Sequence, residues 1–310
     1  MTDFPAPAVA PELPGSMLRI RAAGAEAVIS RLAAGLRSYA RSGVQLTEPS
    51  LHEPVAPGGS GLTLAPWPNR VAGGRWLLGG VEQQLDITEV ARGHAIHGLL
   101  RNAEYAVLAE SDVAVQLAAR IYPQHGYPFQ LLHVVDYRIA DDGSLQVRQT
   151  LRNESAAAAP AALGAHPYLR LGDLPADALT LTVPATRFLS ADDALIPQGE
   201  HAVGAEQDLR AGRPLAALEM DRAYTGLAAD RDGWVRSTLS AADGRSVSLR
   251  QDDTCLYVHI FATSGYPGRN KAVAIEPMSA PANAFNSAEG LRWLQPGESF
   301  SIEWGIESVL

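Results

Sequence analysis

The sequence predicts an all-β protein built as a large antiparallel β-sandwich or a barrel. Apolar and polar residues alternate along many short segments, turn sequences rich in Gly, Pro and Asp separate these segments, and helical signals are few. The chain has 310 residues, of which 46% are hydrophobic, so it can bury a large core. All-β domains often exceed about 200 residues, which makes one domain the simplest organisation.

Two neighbouring segments show the strand pattern best. In SLQVRQTLRN, residues 144–153, apolar residues recur with a period of two. LLHVVDYRI, residues 131–139, is rich in β-formers, and the ADDGS sequence that links the two is typical of a hairpin turn. Further strands are predicted in ALTLTVPA (178–185), RSVSLRQ (245–251), CLYVHIFA (255–262), KAVAIEP (271–277) and SFSIEWGIES (299–308).

Three other segments need a choice. Residues 25–43, AEAVISRLAAGLRSYARSG, are rich in alanine, but Gly35 and the β-branched residues Val28 and Ile29 favour strands over a helix. Residues 208–218, DLRAGRPLAAL, are predicted to be irregular with a short helical turn. The glycines of GGRWLLGG are better explained by a hairpin turn than by a phosphate-binding loop.

Composition limits the classes of function. The net charge is −9, and the sequence has no cluster of Lys and Arg of the kind that binds nucleic acid. Residues 1–15 are rich in Pro and Ala and predict a flexible arm before a single domain at 16–310. No signal peptide and no membrane span of about 18 apolar residues is recognisable, so we expect a cytoplasmic protein without membrane partners. Cys255, the one cysteine, is expected to be a small buried residue.

An ionisable residue followed by proline occurs twice. His166 precedes Pro167 in LGAHPYLRLG, and Glu276 precedes Pro277 after the apolar strand KAVAI. A residue before proline favours extended geometry, and proline cannot donate to a central ladder. Both residues are therefore expected near a strand edge or end, facing a cleft. Burial of an unpaired carboxylate is unfavourable, which suggests a functional purpose for Glu276.

Several other polar residues lie beside glycine or proline or shortly before an aromatic residue: Asn69, Arg70, His94, His97 and Asp221. The HAIH sequence does not have the spacing of an HExxH zinc site, and neither a GxSxG elbow nor a Gly-rich phosphate loop is present. No metal or cofactor is therefore predicted. Asp221 and Glu276 leave a glycosidase open, because that reaction uses two carboxylates that flank one bond.

Together, these segments resemble the aldose 1-epimerase, or mutarotase, family, and most closely a bacterial branch of it. HPY and the long C-terminal block are the specific motifs. The matching segments are PWPNRVAGGRW (66–76), AIHGLLR (95–101), GAHPYLRLG (164–172), DRAYTGL (221–227) and AIEPMSAPANAFNSAEGLRWLQPGESFSIEWGI (274–306). They span most of the chain.

The resemblance implies a galactose mutarotase-like supersandwich, a large antiparallel β-sandwich with a sugar cleft on one face. It also implies interconversion of the α- and β-anomers of a free aldose without a cofactor or a metal. By the same resemblance, Glu276 is the catalytic base and His166 the catalytic acid. The residues that the resemblance assigns to sugar binding are Arg70, His97, Asp221 and, as a weaker addition, Asn69.

Two alternatives to a mutarotase of free aldoses remain open. One is a sugar-binding or regulatory module without turnover. The other is an epimerase of a phosphorylated or sulfonated hexose, with cations near C6 drawn from Arg75, Arg170, Arg222 and Arg269. The sugar itself is not predicted, because Leu169 follows HPY where many galactose-type members have an aromatic residue. The expected partner is a monosaccharide, and the expected assembly is a monomer or homodimer.

Aromatic residues beside these motifs are candidates for stacking on the apolar face of a sugar, with core packing as the alternative: Trp67, Trp76, Tyr168 and Tyr224.

Overall fold

Strands dominate the computed structural model, which describes residues 17–53 and 55–310. The ladders of both large sheets are antiparallel, so the all-β prediction is confirmed. The predicted arm at 1–15 lies outside the described residues, and the division into one domain over 16–310 stays a prediction. No helix in the described part of the chain is long and apolar enough to cross a membrane.

The strands in chain order are β1 (Met17–Ala22), β2 (Ala25–Ser30), β3 (Gly35–Arg41), β4 (Val44–Gln45), β5 (Thr63–Leu64), β6 (Arg70–Val71), β7 (Arg75–Leu78), β8 (Val81–Gln84), β9 (Ala95–Ile96), β10 (Ala106–Glu110), β11 (Ala114–Ile121), β12 (Leu131–Ile139), β13 (Leu145–Asn153), β14 (Ala159–Ala161), β15 (Gly164–Ala165), β16 (Tyr168–Leu169), β17 (Leu179–Thr182), β18 (Ala185–Ala191), β19 (Pro197–Ala202), β20 (Arg213–Pro214), β21 (Met220–Leu227), β22 (Val235–Ala241), β23 (Ser246–Gln251), β24 (Tyr257–Thr263), β25 (Ala272–Met278), β26 (Arg292–Leu294) and β27 (Ser299–Val309). The helical elements are α1 (Ala284–Ser287) and 3₁₀ turns at Pro57–Gly59, Ala72–Gly74, Ala176–Ala178 and Leu215–Ala217.

Two large sheets form a sandwich. The first has nine strands in the order β10-β11-β12-β13-β27-β23-β22-β17-β20. The second has the order β19-β18-β21-β24-β25-β15-β5, and β16 also pairs with β25. Leu151 and Ile302 from the first sheet and Ile260 and Ile275 from the second belong to one buried apolar cluster. The core therefore lies between the sheets.

The strand predictions made from alternation agree with the structure. β12 and β13 pair from Leu131↔Asn153 to Ile139↔Leu145, and ADDGS forms the turn between them. Alternate residues of both strands are buried, because one face packs on the core and the other faces outward.

The structure also agrees with the predictions for the three segments in which helix, strand, turn or irregular structure had to be chosen. Residues 25–43 contain β2 and β3, and GGRWLLGG contributes β7 and the turn that leads into its partner β8. Residues 208–218 contain only the two-residue strand β20 and a 3₁₀ turn at Leu215–Ala217. Cys255 is buried and free, as expected.

The side chains of β25 separate the two faces of the second sheet. Val273 and Ile275 belong to the core between the sheets, whereas Ala274 packs against Tyr168 in a separate cluster on the opposite face. Side chains alternate along a strand, so Glu276 shares the face of Ala274. This outer face carries the polar site described next.

Candidate active site

Three neighbouring strands of the second sheet, β21, β24 and β25, each project a polar side chain from the outer face. His259 of β24 is the register partner of Glu276 of β25. Asp221 of β21 is opposite Phe261 and therefore diagonal to His259. Side chains that are opposite or diagonal on one face of a sheet lie close enough to interact. The sheet order thus brings these three residues into one row.

His166 extends this row from the far side of β25. It lies in the break between β15 and β16, where its extended backbone and Pro167 interrupt the ladder. Its N–H donates to the Leu62 carbonyl over 3.0 Å, which fixes the backbone at the break. The His166 Nε2 atom lies 3.2 Å from Glu276 Oε1, and both side chains are almost fully buried.

The predicted position of Glu276 at a strand edge or end is wrong. β25 continues through Pro277 and is paired on both sides. The backbone N–H groups two residues before and two residues after Pro277 donate to the carbonyls of Pro167 and Leu163. The ring nitrogen of Pro277 therefore faces the break between β15 and β16. No N–H is needed there, so a central strand tolerates the proline.

Glu276 is a buried carboxyl with incomplete hydrogen bonding. It is 1% exposed, and its Oε2 atom has no hydrogen-bond partner among the described residues. Burial raises the pKa of Glu276, and the nearby His166 and His259 oppose this shift without cancelling it. A carboxyl with a raised pKa is a stronger base than an exposed one, which suits proton abstraction.

Asp221 and His259 form the shortest polar contact of the site. Asp221 Oδ1 lies 2.6 Å from His259 Nε2, and Asp221 Oδ2 lies 3.4 Å from an Arg70 nitrogen. Burial disfavours the ionised form of Asp221, but the hydrogen bonds from His259 and Arg70 outweigh burial and hold its pKa well below the ordinary value. Asp221 is therefore a carboxylate throughout the neutral range.

Arg70 is held by carboxylates on two sides. Its Nε and Nη2 atoms donate to the two oxygens of Glu89 over 2.8 and 2.9 Å. Burial disfavours the charge, but the bonds to Glu89 and Asp221 outweigh it and raise the pKa of Arg70. The Asn69 side-chain oxygen accepts from the backbone N–H of Arg70 over 2.9 Å. Arg70 is thus fixed and charged at the cavity wall.

His97 is held in an uncommon backbone conformation. Its φ is +63°, and that of Asn69 is +54°, both in the left-handed region that disfavours side chains. The Asn69 backbone N–H donates to His97 Nδ1 over 3.3 Å. Burial lowers the pKa of His97 well below 6.5, and nearby His166 and Arg70 lower it further. His97 is therefore neutral, with Nδ1 as acceptor and Nε2–H free to donate.

The NAFN sequence of the C-terminal block supports the Arg70 segment. The Asn283 side-chain oxygen accepts from the Ala72 N–H over 3.1 Å, and the Asn286 amide donates to the Arg75 carbonyl over 2.9 Å. Phe285 packs against Trp67 and Trp76, with ring centroids 5.3 and 5.0 Å apart. This short helical turn therefore packs behind the site and stabilises the segment that carries Arg70.

The row of polar side chains on the outer face, together with Arg70 and His97, lines one cavity of about 330 Å³, a volume within the range of small-molecule sites. All six predicted site residues reach it: Asn69, Arg70, His97, His166, Asp221 and Glu276. Sequence reasoning missed the other charged or polar lining residues: Arg37, Glu89, Arg101, Asn102 and His259. Alternation in CLYVHIFA places the His259 side chain on the other face of the strand from Val258 and Ile260. This pattern could have identified His259 from the sequence.

The suggested stacking aromatics are buried in apolar clusters: Trp67, Trp76 and Tyr224 in the core between the sheets, and Tyr168 in the cluster on the outer face. Trp67, Trp76, Tyr168 and Tyr224 are all at most 2% exposed and do not line the cavity. Leu169 is equally buried, so its difference from the galactose-type pattern does not alter the cavity wall.

None of the four suggested C6 cations lines the cavity either. Arg170 and Arg269 pair with the buried Glu48 at a second cavity. Arg222 lies over the ring of Phe188, and Arg75 is exposed on β7.

No group of three or more His, Cys, Asp or Glu residues within 17–53 and 55–310 is arranged to hold a metal ion.

Comparison with known proteins identifies the family. The sequence profile described as "Aldose 1-epimerase" matches residues 16–307. The chain belongs to the aldose 1-epimerase family. A relative of this chain is the "Uncharacterized protein YihR" of Escherichia coli K12, which is 32% identical over 294 residues, covering 94% of this chain and 93% of that protein. The family resemblance recognised in the sequence is therefore confirmed.

Solved structures of aldose 1-epimerase relatives share the fold. A galactose mutarotase-like protein from Clostridium acetobutylicum superposes with a TM-score of 0.82 at 19% identity, covering 94% of this chain and 95% of that chain. Galactose 1-epimerase from Lactobacillus acidophilus gives a TM-score of 0.79 at 16% identity, covering 94% of each chain. The predicted supersandwich is confirmed.

Proposed function

We propose that this aldose 1-epimerase family member interconverts the α- and β-anomers of a free aldose, with Glu276 as base and His166 as acid. One observation carries the proposal: His166 Nε2 and Glu276 Oε1 lie 3.2 Å apart at the wall of a cavity of about 330 Å³. O1 and the ring oxygen O5 are bonded to the same carbon, so adjacent acid and base groups suit them.

The reaction needs two proton transfers and no redox step. Glu276 takes the proton from O1 while imidazolium His166 gives one to O5, and the C1–O5 bond breaks. The open aldehyde rotates about C1–C2 and closes on its other face. On closure the carboxylic acid returns its proton to O1, and His166 recovers one from O5. Each group contributes about 10²–10⁴ in rate.

The remaining polar groups supply the donors and acceptors that sugar hydroxyls require. Arg70 offers guanidinium N–H groups in a fixed plane, and neutral His97 offers Nε2–H. Asp221 offers carboxylate oxygens for hydroxyl protons, and Asn69 aligns Arg70 through its side-chain oxygen. These assignments follow the family resemblance and the contacts within the cavity.

Polarimetry on freshly dissolved α-glucose tests the assignment. We expect Glu276→Gln and His166→Ala each to slow anomer interconversion by at least about 10²-fold, because each removes one proton-transfer group. Glu110→Gln on the exposed strand β10 is the matched control and should keep the wild-type rate.

Wild-type rates in either site variant would refute the roles. Saturable sugar binding without acceleration, over a panel of aldoses, would indicate a binding module instead. Release of product from an aryl glycoside would favour a glycosidase.

A hexose with an anionic group is the second candidate substrate, favoured by two arginines at the cavity. Arg37 is 2% exposed, and its only hydrogen bonds to described residues are long ones of 3.4 and 3.5 Å to the Ser50 and Glu53 carbonyls. Arg101 makes neither an ion pair nor a hydrogen bond with any described residue. Arg37 is buried and Arg101 is half-buried, and a guanidinium group shielded from water without an ion-pair partner attracts an anion.

Parallel assays with glucose and glucose 6-phosphate test this second candidate. We expect Arg101→Gln to lower kcat/KM for the phosphorylated sugar by at least about tenfold, because a hydrogen bond to a charged group contributes about 1.5–3 kcal/mol. The rate with glucose should change little, and Arg222→Gln, outside the cavity, serves as control. Equal losses with both sugars would exclude an anion site at Arg101.

A further inference from the structure

His259 is a polar residue of the cavity that neither the sequence motifs nor the proposed reaction uses. It lies in the middle of β24, directly opposite Glu276 in the ladder. Its neighbours in sequence, Val258 and Ile260, belong to the core between the sheets. Alternation therefore directs its imidazole to the outer face, where it lines the cavity.

One nitrogen of the His259 ring is firmly anchored. Nε2 lies 2.6 Å from Asp221 Oδ1, the shortest polar contact in the site. Asp221 also contacts Arg70, which in turn holds Glu89. A short contact between an imidazole and a carboxylate fixes the ring orientation and stabilises the imidazolium form.

The other nitrogen of the His259 ring has no hydrogen-bond partner among the described residues. Its Nδ1 atom is buried and makes no hydrogen bond within the described chain, and the same is true of Glu276 Oε2. Register partners on one face of a sheet have Cβ atoms about 4.5–5.5 Å apart. The ring of His259 thus stands beside the carboxyl of Glu276 without bonding to it.

The charge balance around His259 favours its protonated form. Charged and titratable groups face it from three strands and one turn: Asp221 on β21, Glu276 on β25, Arg70 on β6 and His97 after β9. Burial disfavours the charge and Arg70 repels it, but Asp221 and then Glu276 outweigh both and raise the pKa of His259.

We propose that His259 is a positioning residue which, as an imidazolium anchored on Asp221, keeps Glu276 ionised as the base. The inference rests on the proposed function of the site. It assigns different duties to the two histidines that flank Glu276: His166 exchanges a proton with the sugar, whereas His259 retains its proton through the cycle. A fixed positive charge beside a buried carboxyl lowers the pKa of that carboxyl.

The pH dependence of His259→Gln is the kinetic test. Glutamine can still donate to Asp221 but carries no charge, so the pKa of Glu276 should rise. The acid limb of kcat/KM for α-glucose should move to higher pH by about one unit. His201→Gln, an exposed histidine on β19, is the control and should leave the limb in place. A uniform loss of rate with an unmoved limb would overturn the proposal.

Magnetic resonance titration tests the same claim without activity. In wild-type protein with labelled histidine and glutamate, we expect His259 to be imidazolium at pH 7, and the midpoint of Glu276 to rise by about one unit in His259→Gln. A neutral His259 at pH 7, or an unchanged Glu276 midpoint, would refute the inference. Because neither readout needs turnover, a protein without mutarotase activity would contradict the proposed function and still allow this test. If His259→Gln does not fold, the wild-type titration decides.

Discussion

At the scale of single residues, the site separates groups by the charge they hold. Despite burial, Asp221 is kept ionised chiefly by His259 and Arg70 chiefly by Glu89, and His97 is kept neutral by burial. Glu276 lies between these extremes, because burial opposes its charge and two histidines favour it. Environments that drive the pKa values of neighbouring groups apart are characteristic of acid–base sites.

The raised pKa of Glu276 gives a prediction for the wild-type enzyme. A base must be unprotonated to act, and a carboxyl with a raised pKa loses that form at a higher pH. We therefore expect the acid limb of kcat/KM for anomer interconversion to lie above pH 4.5, the ordinary glutamate value. Polarimetry from pH 4 to 8 measures it. A limb at or below pH 4.5 would show that burial does not control this carboxyl.

At the scale of elements, local patterns were readable and long-range neighbours were not. The hairpin of β12 and β13 follows from alternation and a turn that are adjacent in sequence. The row Asp221, His259, Glu276 depends on the order β21-β24-β25, which no local pattern encodes. The family motifs identified Glu276 and Asp221. His259 lies in none of these motifs, and its strand consists mostly of apolar residues.

Proline was the element-scale signal that misled. Pro277 predicted a strand end at Glu276, because proline lacks an N–H. The prediction did not allow for a second proline break, at His166 and Pro167, in the neighbouring strand. Two interruptions that face each other need no hydrogen bond, so β25 remains central and its carboxyl stays buried.

The turn after β9 gives a prediction about stability. Gly98 has a φ of +75°, and a Cβ there would lie 2.0 Å from the Ala65 carbonyl oxygen. Gly98→Ala must therefore displace backbone as well as adopt a left-handed conformation. Gly80→Ala is the matched control, since its φ is +83° and nothing lies within 4 Å of the new Cβ.

Urea unfolding should separate the two effects. We expect Gly80→Ala to lower the free energy of unfolding by about 1–2 kcal/mol, the cost of the left-handed conformation alone. Gly98→Ala should lower it by at least about 2 kcal/mol more. The rate of anomer interconversion should also fall in Gly98→Ala, because the cavity residue His97 precedes Gly98. Equal losses of stability would mean that Ala65 moves aside without penalty.

At the scale of the whole molecule, the two large sheets enclose polar groups as well as apolar ones. His133 of β12 is fully buried between them, and the Tyr105 hydroxyl lies 2.7 Å from its Nδ1 atom. Burial lowers the pKa of His133 to about 3, although Gln149 opposes the shift. The folded sandwich therefore holds this histidine neutral, and His133 does not line the cavity of the candidate site.

This buried histidine makes the stability of the whole fold depend on pH. Between pH 3 and about 6.5, the unfolded chain binds a proton at His133 that the folded chain does not bind, so stability falls as the pH drops below about 6.5. From pH 7 to pH 5 the loss due to this group is about 2 kcal/mol. In His133→Gln, this loss of about 2 kcal/mol between pH 7 and pH 5 should be absent, whatever the variant's free energy of unfolding at pH 7. Urea unfolding at both pH values measures the difference, with the exposed His52→Gln as control. An unchanged difference in His133→Gln would show that the core admits the charged imidazolium when the two sheets are still packed together.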